Sequence, residues 1–434
     1  MGIKPIAIKN NSYQMKNLLR DFIFHKLKYG SGFRKRLRLI KSFQRLSESE
    51  LLIKENSMLV EHIRKAYNNS PFYKELYDSH GVNLGQLQSK EDLSKLPVVT
   101  KELIRKRVDD IYIGKRFKHT AHTSGTSGTP LKVYYSWDCV LNEASYNEIF
   151  RNNVGHYFGD KVISLRGALD GTKKEHYDRF NKTLFLSSYH ITPDNAEWYS
   201  KKINEFKPKT ILGYPSSLEA LSIILSEYKI KIPIAFTSSE TLYPHQQELI
   251  EKSLGCKIYD RYGNAERTIS LVQEKHNGEY SFPNLYSINE FKGNNEIFTT
   301  NLINPQFPLI RYQVEDEIIV SENNTVKRIG GRIDDCLITP DQRRIGSAAM
   351  SLAFKKVPNI QMSQIEQNFK DKIIVNIVPA QSFSLEDIKL LEKELKKRIG
   401  EEMIIEIREV TRSEIKKTKA NKFKLIINSM ESFH

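Results

Sequence analysis

Apolar and polar positions alternate along this chain in two rhythms. Between residues 161 and 263, short apolar runs (KVISL, TILGY, IPIAFTSS, CKIYDRYG) take turns with stretches of helical period (NAEWYSKKINEF, SSLEALSIILSEY, HQQELIEKSLG). Strands separated by helices of that size predict a parallel sheet with crossovers, so the middle of the chain reads as α/β. Near the C-terminus, KIIVNIVP and EEMIIEIREV read as strands flanking SLEDIKLLEKELKKRIG, a helix with Ser384 as N-cap and Gly400 past its end: a compact βαβ unit. Upstream, Ser47 and Glu50 form a capping box for a helix that ends before Pro71 and offers Leu51, Leu52, Leu59 and Ile63 for packing. Residues 70–106 read as short helical pieces broken by Pro and Gly, with no candidate chemistry.

Length and composition narrow the picture. A chain of 434 residues with 39% hydrophobic and 27% charged positions can bury a sizeable core, and it exceeds the length at which one core stops growing, so a large domain plus a smaller one is expected. Cys139, Cys256 and Cys336 are scattered without CxxC spacing, which argues against a disulfide framework and a cysteine zinc site. No run approaches the ~20 apolar residues of a membrane span, and the N-terminal stretch lacks the apolar core expected of a signal peptide. A cytoplasmic location is the expectation.

The net charge of +15 is lopsided, because residues 1–50 hold twelve Lys or Arg against three Asp or Glu. In that head Met15, Leu18, Leu19, Phe22 and Ile23 share one helical face, Gly30-Ser31-Gly32 interrupts it, and FRKRLRLIKSF resumes it. Such a segment can lie on anionic lipid, track phosphates, or pack its apolar face on the main domain with its lysines in water. It carries no recognised nucleic-acid reader motif, and no nucleic-acid partner is expected.

Residues 121–136, AHTSGTSGTPLKVYYS, combine glycines with hydroxyl side chains just before an apolar run. Exposed backbone N–H groups and hydroxyl donors suit a polyphosphate. The stretch is neither GxxxxGK[ST], since Pro130 stands where the second glycine is required, nor GxGxxG. A plain surface turn remains open for this stretch taken alone.

Its companions decide. Residues 122–130 resemble the phosphate-loop signature of the adenylate-forming superfamily of acyl-CoA synthetases, luciferases and nonribosomal adenylation domains. In order follow Ser238-Ser239-Glu240, resembling the adenine-contacting turn; 260–266, DRYGNAE, resembling the Tyr-Gly-x-x-Glu motif; 311–316, RYQVED, the ribose-binding aspartate segment; and 331–335, GRIDD, the hinge. SPFYKEL, EDLSKLP, VTKELIRK and FKPKTILGYPSSLEALS resemble the phenylacetate-CoA ligase branch, especially members encoded with capsule and surface-polysaccharide genes. The resemblance spans roughly residues 60–430.

The resemblance implies an α/β fold: a large N-terminal domain with mixed and parallel sheets flanked by helices, plus a small mobile α+β C-terminal domain. The corresponding division is a basic head at 1–46, an ATP- and acid-binding domain at 47–332, and a swinging domain at 333–434. Thr123, Ser124, Gly125, Thr126, Ser127 and Gly128 would hold the β- and γ-phosphates, with Thr126 as leading donor. Ser238, Ser239 and Glu240 would contact the adenine and Tyr262 would stack on it, with a core aromatic as its plain alternative; Asp316 would accept from the ribose hydroxyls, with a strand-end surface charge as its alternative; Arg261, Gly263 and Arg332 belong to the same nucleotide site. Glu266 would hold Mg²⁺, a hard cation suited to oxygen ligands; a helix-capping carboxylate is its plain alternative. Lys422, with Lys419 in reserve, aligns with the lysine that bridges carboxylate and α-phosphate, and Asp334-Asp335 would be the pivot. Arg166, His190 and Tyr214 stand near the acyl pocket, each with an ordinary packing or ion-pair alternative.

The implied cofactors are ATP and Mg²⁺, with a small carboxylic acid as substrate and coenzyme A, or an amine or hydroxyl, as acceptor. Departures from the pattern bear on the acceptor: Thr129 and Leu131 replace lysines, TPDQRRIG replaces the glycine-bearing hinge sequence, and Asn421 replaces the glycine before Lys422. A catabolic acyl- or aryl-CoA ligase and a non-catalytic ATP-binding scaffold are the competing readings.

Overall fold

The computed structural model describes residues 22, 25–26, 29–115, 118–122, 131–165, 169, 173–292, 296–314, 316–320, 326–330, 336–341, 343–354, 356–416 and 425–430. Strands β1 (His119–His122) and β2 (Lys132–Tyr135) make an antiparallel ribbon in which His122 faces Lys132. The largest sheet is built from β3 (Val162–Ser164), β4 (Glu175–Asp178), β5 (Thr183–Leu186), β6 (Thr210–Gly213), β7 (Ile234–Ser238), β8 (Lys257–Gly263) and β9 (Ser270–Val272), ordered β4-β5-β3-β6-β7-β8-β9. Its centre is parallel and its two edge pairings, β4 with β5 and β8 with β9, are antiparallel. The helices between these strands, Ala196–Phe206, Pro215–Ile224 and Pro244–Leu254, fall where the periodicity places them. Ile163, Ile211, Leu218, Ile250 and Ile258 share the buried layer between sheet and helices.

A second layer joins the N-terminal helices to the antiparallel sheet β10 (Ser287–Lys292), β11 (Glu296–Asn301) and β12 (Tyr312–Val314). The stretch 70–106 supplies much of its core, including Phe72, Tyr73, Tyr77, Leu93, Val99 and Ile104. The Tyr73 hydroxyl donates to the Pro308 carbonyl at 3.1 Å and accepts from the Ile310 N–H at 2.9 Å, so a buried phenol finds both its partners across 235 and 237 residues.

After the hairpins β13 (Glu317–Val320) with β14 (Val326–Gly330) and β15 (Cys336–Ile338) with β16 (Arg344–Gly346), the chain forms a small α+β domain. Its sheet runs β19-β18-β17-β20, from β17 (Ile360–Phe369), β18 (Lys372–Pro379), β19 (Ile404–Glu409) and β20 (Ile426–Asn428). Strands β18 and β19 are parallel, joined by helix Leu385–Ile399, which is the βαβ unit expected. Ser384 and Asp387 close that helix's capping box and Gly400 follows it at φ +94°. Leu391, Leu395 and Ile399 cover Ile373, Val375 and Ile377 of the sheet.

The head helix Ser31–Phe43 starts at Gly30, so the glycine-rich break falls at its entry. It buries Phe33, Ile40 and Phe43, and Arg36 pairs with Asp138 of helix Trp137–Asn153 at 2.6 Å. Packing therefore takes its apolar face. Phe22 is exposed, whereas Met15, Leu18, Leu19 and Ile23 lie outside the described residues. The Ser47–Glu50 capping box forms as expected. Leu59 and Ile63 are buried and Leu51 packs against the same core, but Leu52 corrects the expectation: at 42% exposed it faces water, one position off the buried stripe. No described helix is long and apolar enough to cross a membrane.

Candidate active site

The parallel strands β6, β7 and β8 end side by side, and the residues just beyond them form the rim where a doubly wound sheet receives ligands. At the end of β7, Ser238 pairs in register with Arg261 of β8. Ser239 then takes φ +72°, a left-handed turn. This sends Glu240 to the first turn of helix Pro215–Ile224, where its Oε2 accepts the Ser216 N–H at 3.1 Å. Gly346 of β16 closes over the same carboxylate, so tightly that a Cβ there would stand 2.2 Å from Glu240 Oε1.

From the end of β8, the Tyr262 hydroxyl donates to Asp316 Oδ2 at 2.5 Å. Three residues past β8, Glu266 is buried and accepts from the Tyr312 hydroxyl at 2.8 Å. The turn that carries Glu266 is held by Asn264, whose side-chain oxygen accepts the Thr268 N–H at 3.0 Å, and by Tyr135 of β2, whose hydroxyl donates to the Ala265 carbonyl. Burial raises the Glu266 carboxyl above its ordinary value; the nearby Lys101 ammonium and the Tyr312 hydroxyl oppose that shift, and Asp316 reinforces it.

Lys101 reaches this point because its segment is stitched to β12: the Val99 N–H donates to the Arg311 carbonyl and the Gln313 N–H to the Val99 carbonyl, each at 3.0 Å. Thr100 caps helix Lys101–Ile111, placing a buried lysine in its first turn. Arg311, at φ +53°, fixes the preceding loop by donating from Nη1 to the carbonyls of Ser94, at 3.0 Å, and Leu96.

Arg261 is engaged elsewhere. Its guanidinium meets Glu143 at 2.6 Å, while the Tyr286 hydroxyl donates to the other Glu143 oxygen at 2.7 Å and Arg267 lies 3.8 Å from the Tyr135 ring centroid. Burial alone would raise the Glu143 carboxyl, but Arg261 and Arg267 outweigh it and hold it down at about 2. This is a structural ion cluster beneath the rim, and the Arg261 side chain contributes there. Asp260 likewise points inward, taking hydrogen bonds from Thr237 at 2.5 Å and Tyr280 at 2.7 Å. Gly263 closes β8 at the exposed rim.

On the neighbouring flank, Tyr214 caps helix Pro215–Ile224 and is half-buried. His190 ends the 3-10 turn Ser188–His190, with Nδ1 2.8 Å from Ser187 Oγ. Burial, then the Lys174 charge, hold its imidazole below the ordinary value.

The structure thus gathers Ser238, Ser239, Glu240, Tyr262, Gly263, Glu266 and Asp316 at one rim, with His190 and Tyr214 beside them. Thr123, Ser124, Gly125, Thr126, Ser127, Gly128, Arg166, Arg332, Asp334, Asp335, Lys419 and Lys422 lie outside the described residues. Sequence reasoning missed Lys101 and Glu143. Lys101 did leave a signal: a lysine in the first helical turn opposes the helix dipole and needs a reason to be there. Among the described residues no three His, Cys, Asp or Glu side chains cluster as a metal cage. A single buried carboxylate such as Glu266 suits Mg²⁺ that takes its other ligands from phosphates and water.

Residues 337–429 match the family model described as the CapK C-terminal domain. The chain is 27% identical over 422 residues to Protein CapK of Staphylococcus aureus, covering 91% of this chain and 92% of that one. It is 26% identical over 326 residues to phenylacetate-coenzyme A ligase of Escherichia coli (strain K12), covering 67% and 73%. In fold it is similar to 2-hydroxyisobutyryl-CoA ligase in complex with 2-HIB-AMP and CoA in the thioesterification state, with a TM-score of 0.55 and 17% identity over 88% of this chain and 90% of that one.

Proposed function

The chain belongs to the adenylate-forming superfamily, in its phenylacetate-CoA ligase-like branch, and from that premise we propose which of its groups carry the two half-reactions. It is an adenylate-forming ligase. A carboxylate oxygen of the acid attacks the α-phosphorus of ATP, the bond from that phosphorus to the bridging oxygen breaks, and pyrophosphate leaves. An acceptor thiol, amine or hydroxyl then attacks the acyl carbon, loses its proton, and releases AMP.

One observation carries the nucleotide assignment: the Tyr262–Asp316 contact stands at the rim beside buried Glu266, on the side where β7 delivers Ser238, Ser239 and Glu240. Asp316, exposed and ionisable, is the group that accepts from the ribose hydroxyls. Glu266 would hold Mg²⁺, which neutralises charge on the phosphates when bound. Residues 123–128, with Thr126 foremost, would cradle the β- and γ-phosphates, since both flanks of that stretch enter through β1 and β2 and β2 is anchored on the Glu266 turn. Lys422 would bridge the two anions during adenylation, Arg332 would complete the nucleotide site, and rotation at Asp334-Asp335 would exchange the half-reactions. Arg166, His190 and Tyr214 would line the acid pocket.

We take coenzyme A as the leading acceptor, in keeping with the phenylacetate-CoA ligase relatives; Asn421, where the family has glycine, favours an amine or hydroxyl acceptor as the second reading. Similarity to Protein CapK supports a place in surface-polysaccharide biosynthesis. The exposed basic face of helix Ser31–Phe43 (Arg34, Lys35, Arg38, Lys41) supports peripheral contact of this cytoplasmic enzyme with anionic lipid.

Pyrophosphate release across a panel of carboxylic acids, amino acids and uronic acids, with and without coenzyme A, tests the reading. Release that depends on one acid supports it. ATP binding without turnover on any acid would leave the scaffold reading instead.

A further inference from the structure

Helix Leu385–Ile399 of the small domain meets the large domain through Arg398. This side chain is 1% exposed, and its guanidinium carbon lies 5.1 Å from the centroid of the Tyr189 ring, in the turn Ser188–His190. Within its own domain Arg398 donates from Nε to the Ala349 carbonyl at 3.1 Å and from Nη1 to the carbonyl and, at 3.0 Å, to Oε2 of Glu394. Its Nη2 is buried and finds no hydrogen-bond partner in its own domain among the described residues, and the guanidinium interacts instead with the Tyr189 side chain. The Tyr189 side chain, its hydroxyl as well as its aromatic face, is therefore what offsets the desolvation of that end of the cation.

Glu394 has other company in Lys397 and, at 3.9 Å, Lys356, so the helix keeps its internal ion pairing whether or not Tyr189 is present. The turn beneath is wired to the large domain. Ser187 Oγ accepts the Tyr189 N–H at 3.3 Å and lies 2.8 Å from His190 Nδ1, while the Tyr199 hydroxyl donates to the Ser187 carbonyl at 2.5 Å. One turn thus carries both His190 and the ring that Arg398 covers.

We propose that Arg398 and Tyr189 form an interdomain latch, which holds the small domain docked on the acyl-side turn and couples the position of that domain to the setting of His190. Both are positioning residues. The geometry suits a reversible device: undocking returns the guanidinium to water, and hydration replaces most of what the ring supplied. Gly346 against Glu240 is the companion contact, and the two flank the N-terminal end of helix Pro215–Ile224, where Glu240 binds the Ser216 N–H and Tyr214 neighbours Tyr189. The consequence for acid recognition rests on the ligase reading; the latch itself does not.

Small-angle scattering on the full, ligand-free chain reads domain position directly. Tyr189→Leu leaves every partner of Arg398 in its own domain intact, and it is expected to shift the docked-to-open ratio roughly tenfold and enlarge the radius of gyration. Tyr189→Phe keeps the π face and loses only the hydroxyl's share, so its radius lies between those of the wild type and Tyr189→Leu. Arg398→Met reproduces the expansion, and the double variant goes no further than either single one, because both remove the same interaction. A wild-type radius for Tyr189→Leu overturns the latch, as does a double variant whose expansion equals the sum of the two. Tyr189 lies outside the small domain, so its variants decide the matter even where Arg398→Met fails to fold. Failure of the ligase reading registers separately, as absence of pyrophosphate release.

Discussion

Asp316 and Glu266 stand in different surroundings, and each has a distinct testable consequence. Asp316 is exposed and already accepts a hydrogen bond from Tyr262, so a ribose bound as proposed would share or displace that phenol. A charge-assisted hydrogen bond is worth about 1.5–3 kcal/mol, or roughly ten- to a hundredfold in affinity. Calorimetry should therefore find Asp316→Asn weakened by that factor for ATP, whereas Tyr262→Phe, which removes only the competing hydroxyl, binds equally well or tighter. Glu266 is buried and its carboxyl is raised. It must be ionised to serve a cation, so the adenylation rate should fall as pH drops through a midpoint above the ordinary carboxylate range. Lys101 opposes the rise; Lys101→Met should move that midpoint further up, and an unmoved pH profile would separate Lys101 from the site.

At the scale of elements, the ion cluster on helix Trp137–Asn153 makes the clearest stability prediction. Glu143 is held at about 2 in the folded chain, below its unfolded value. Its contribution is thus fully present above the unfolded value and lost as pH falls towards 2. That difference corresponds to about 3 kcal/mol. Glu143→Gln, which leaves Arg261 and Arg267 without their carboxylate, should lose stability on that order in urea melts at neutral pH, with the gap closing in acid. In β16, Gly346→Ala would push aside the Glu240 carboxylate that holds the Ser216 N–H. It should leave the melting of the large domain unchanged yet slow whichever half-reaction uses the docked arrangement.

These elements also show what the sequence made legible. The alternation between residues 161 and 263 gave the parallel strands and their helices, because strand and crossover periods are local properties. The Ser47 and Ser384 caps were equally visible. Residues 70–106 fold as the short helical pieces expected, but their place in the core was not legible: their apolar positions serve a core completed by β10–β12, some two hundred residues away, and no window along the chain contains both halves. Arg261 was read with its neighbours at the rim, yet the structure commits it to Glu143, a partner 118 residues upstream. Lys101 reached the site through strand pairing at Val99, which periodicity does not encode.

The whole molecule joins the rim proposed to hold the nucleotide, on the large domain, to a small domain that contacts the large one at Glu240 and Tyr189. The order of motifs along the chain pointed to this arrangement, but the docking contacts involve residues with no motif of their own. The head helix adds a cationic outer face whose apolar side is already spent on packing, so its chemistry is confined to the surface. The most direct test of the central claim is a crystal structure with a non-hydrolysable ATP analogue. The account predicts adenine beyond β7 at Ser238–Glu240, ribose hydroxyls within hydrogen-bond distance of Asp316, and the Tyr262 hydroxyl moved from its present contact or sharing it. A nucleotide bound elsewhere, with the Tyr262–Asp316 pair undisturbed and no ribose near it, would contradict the account.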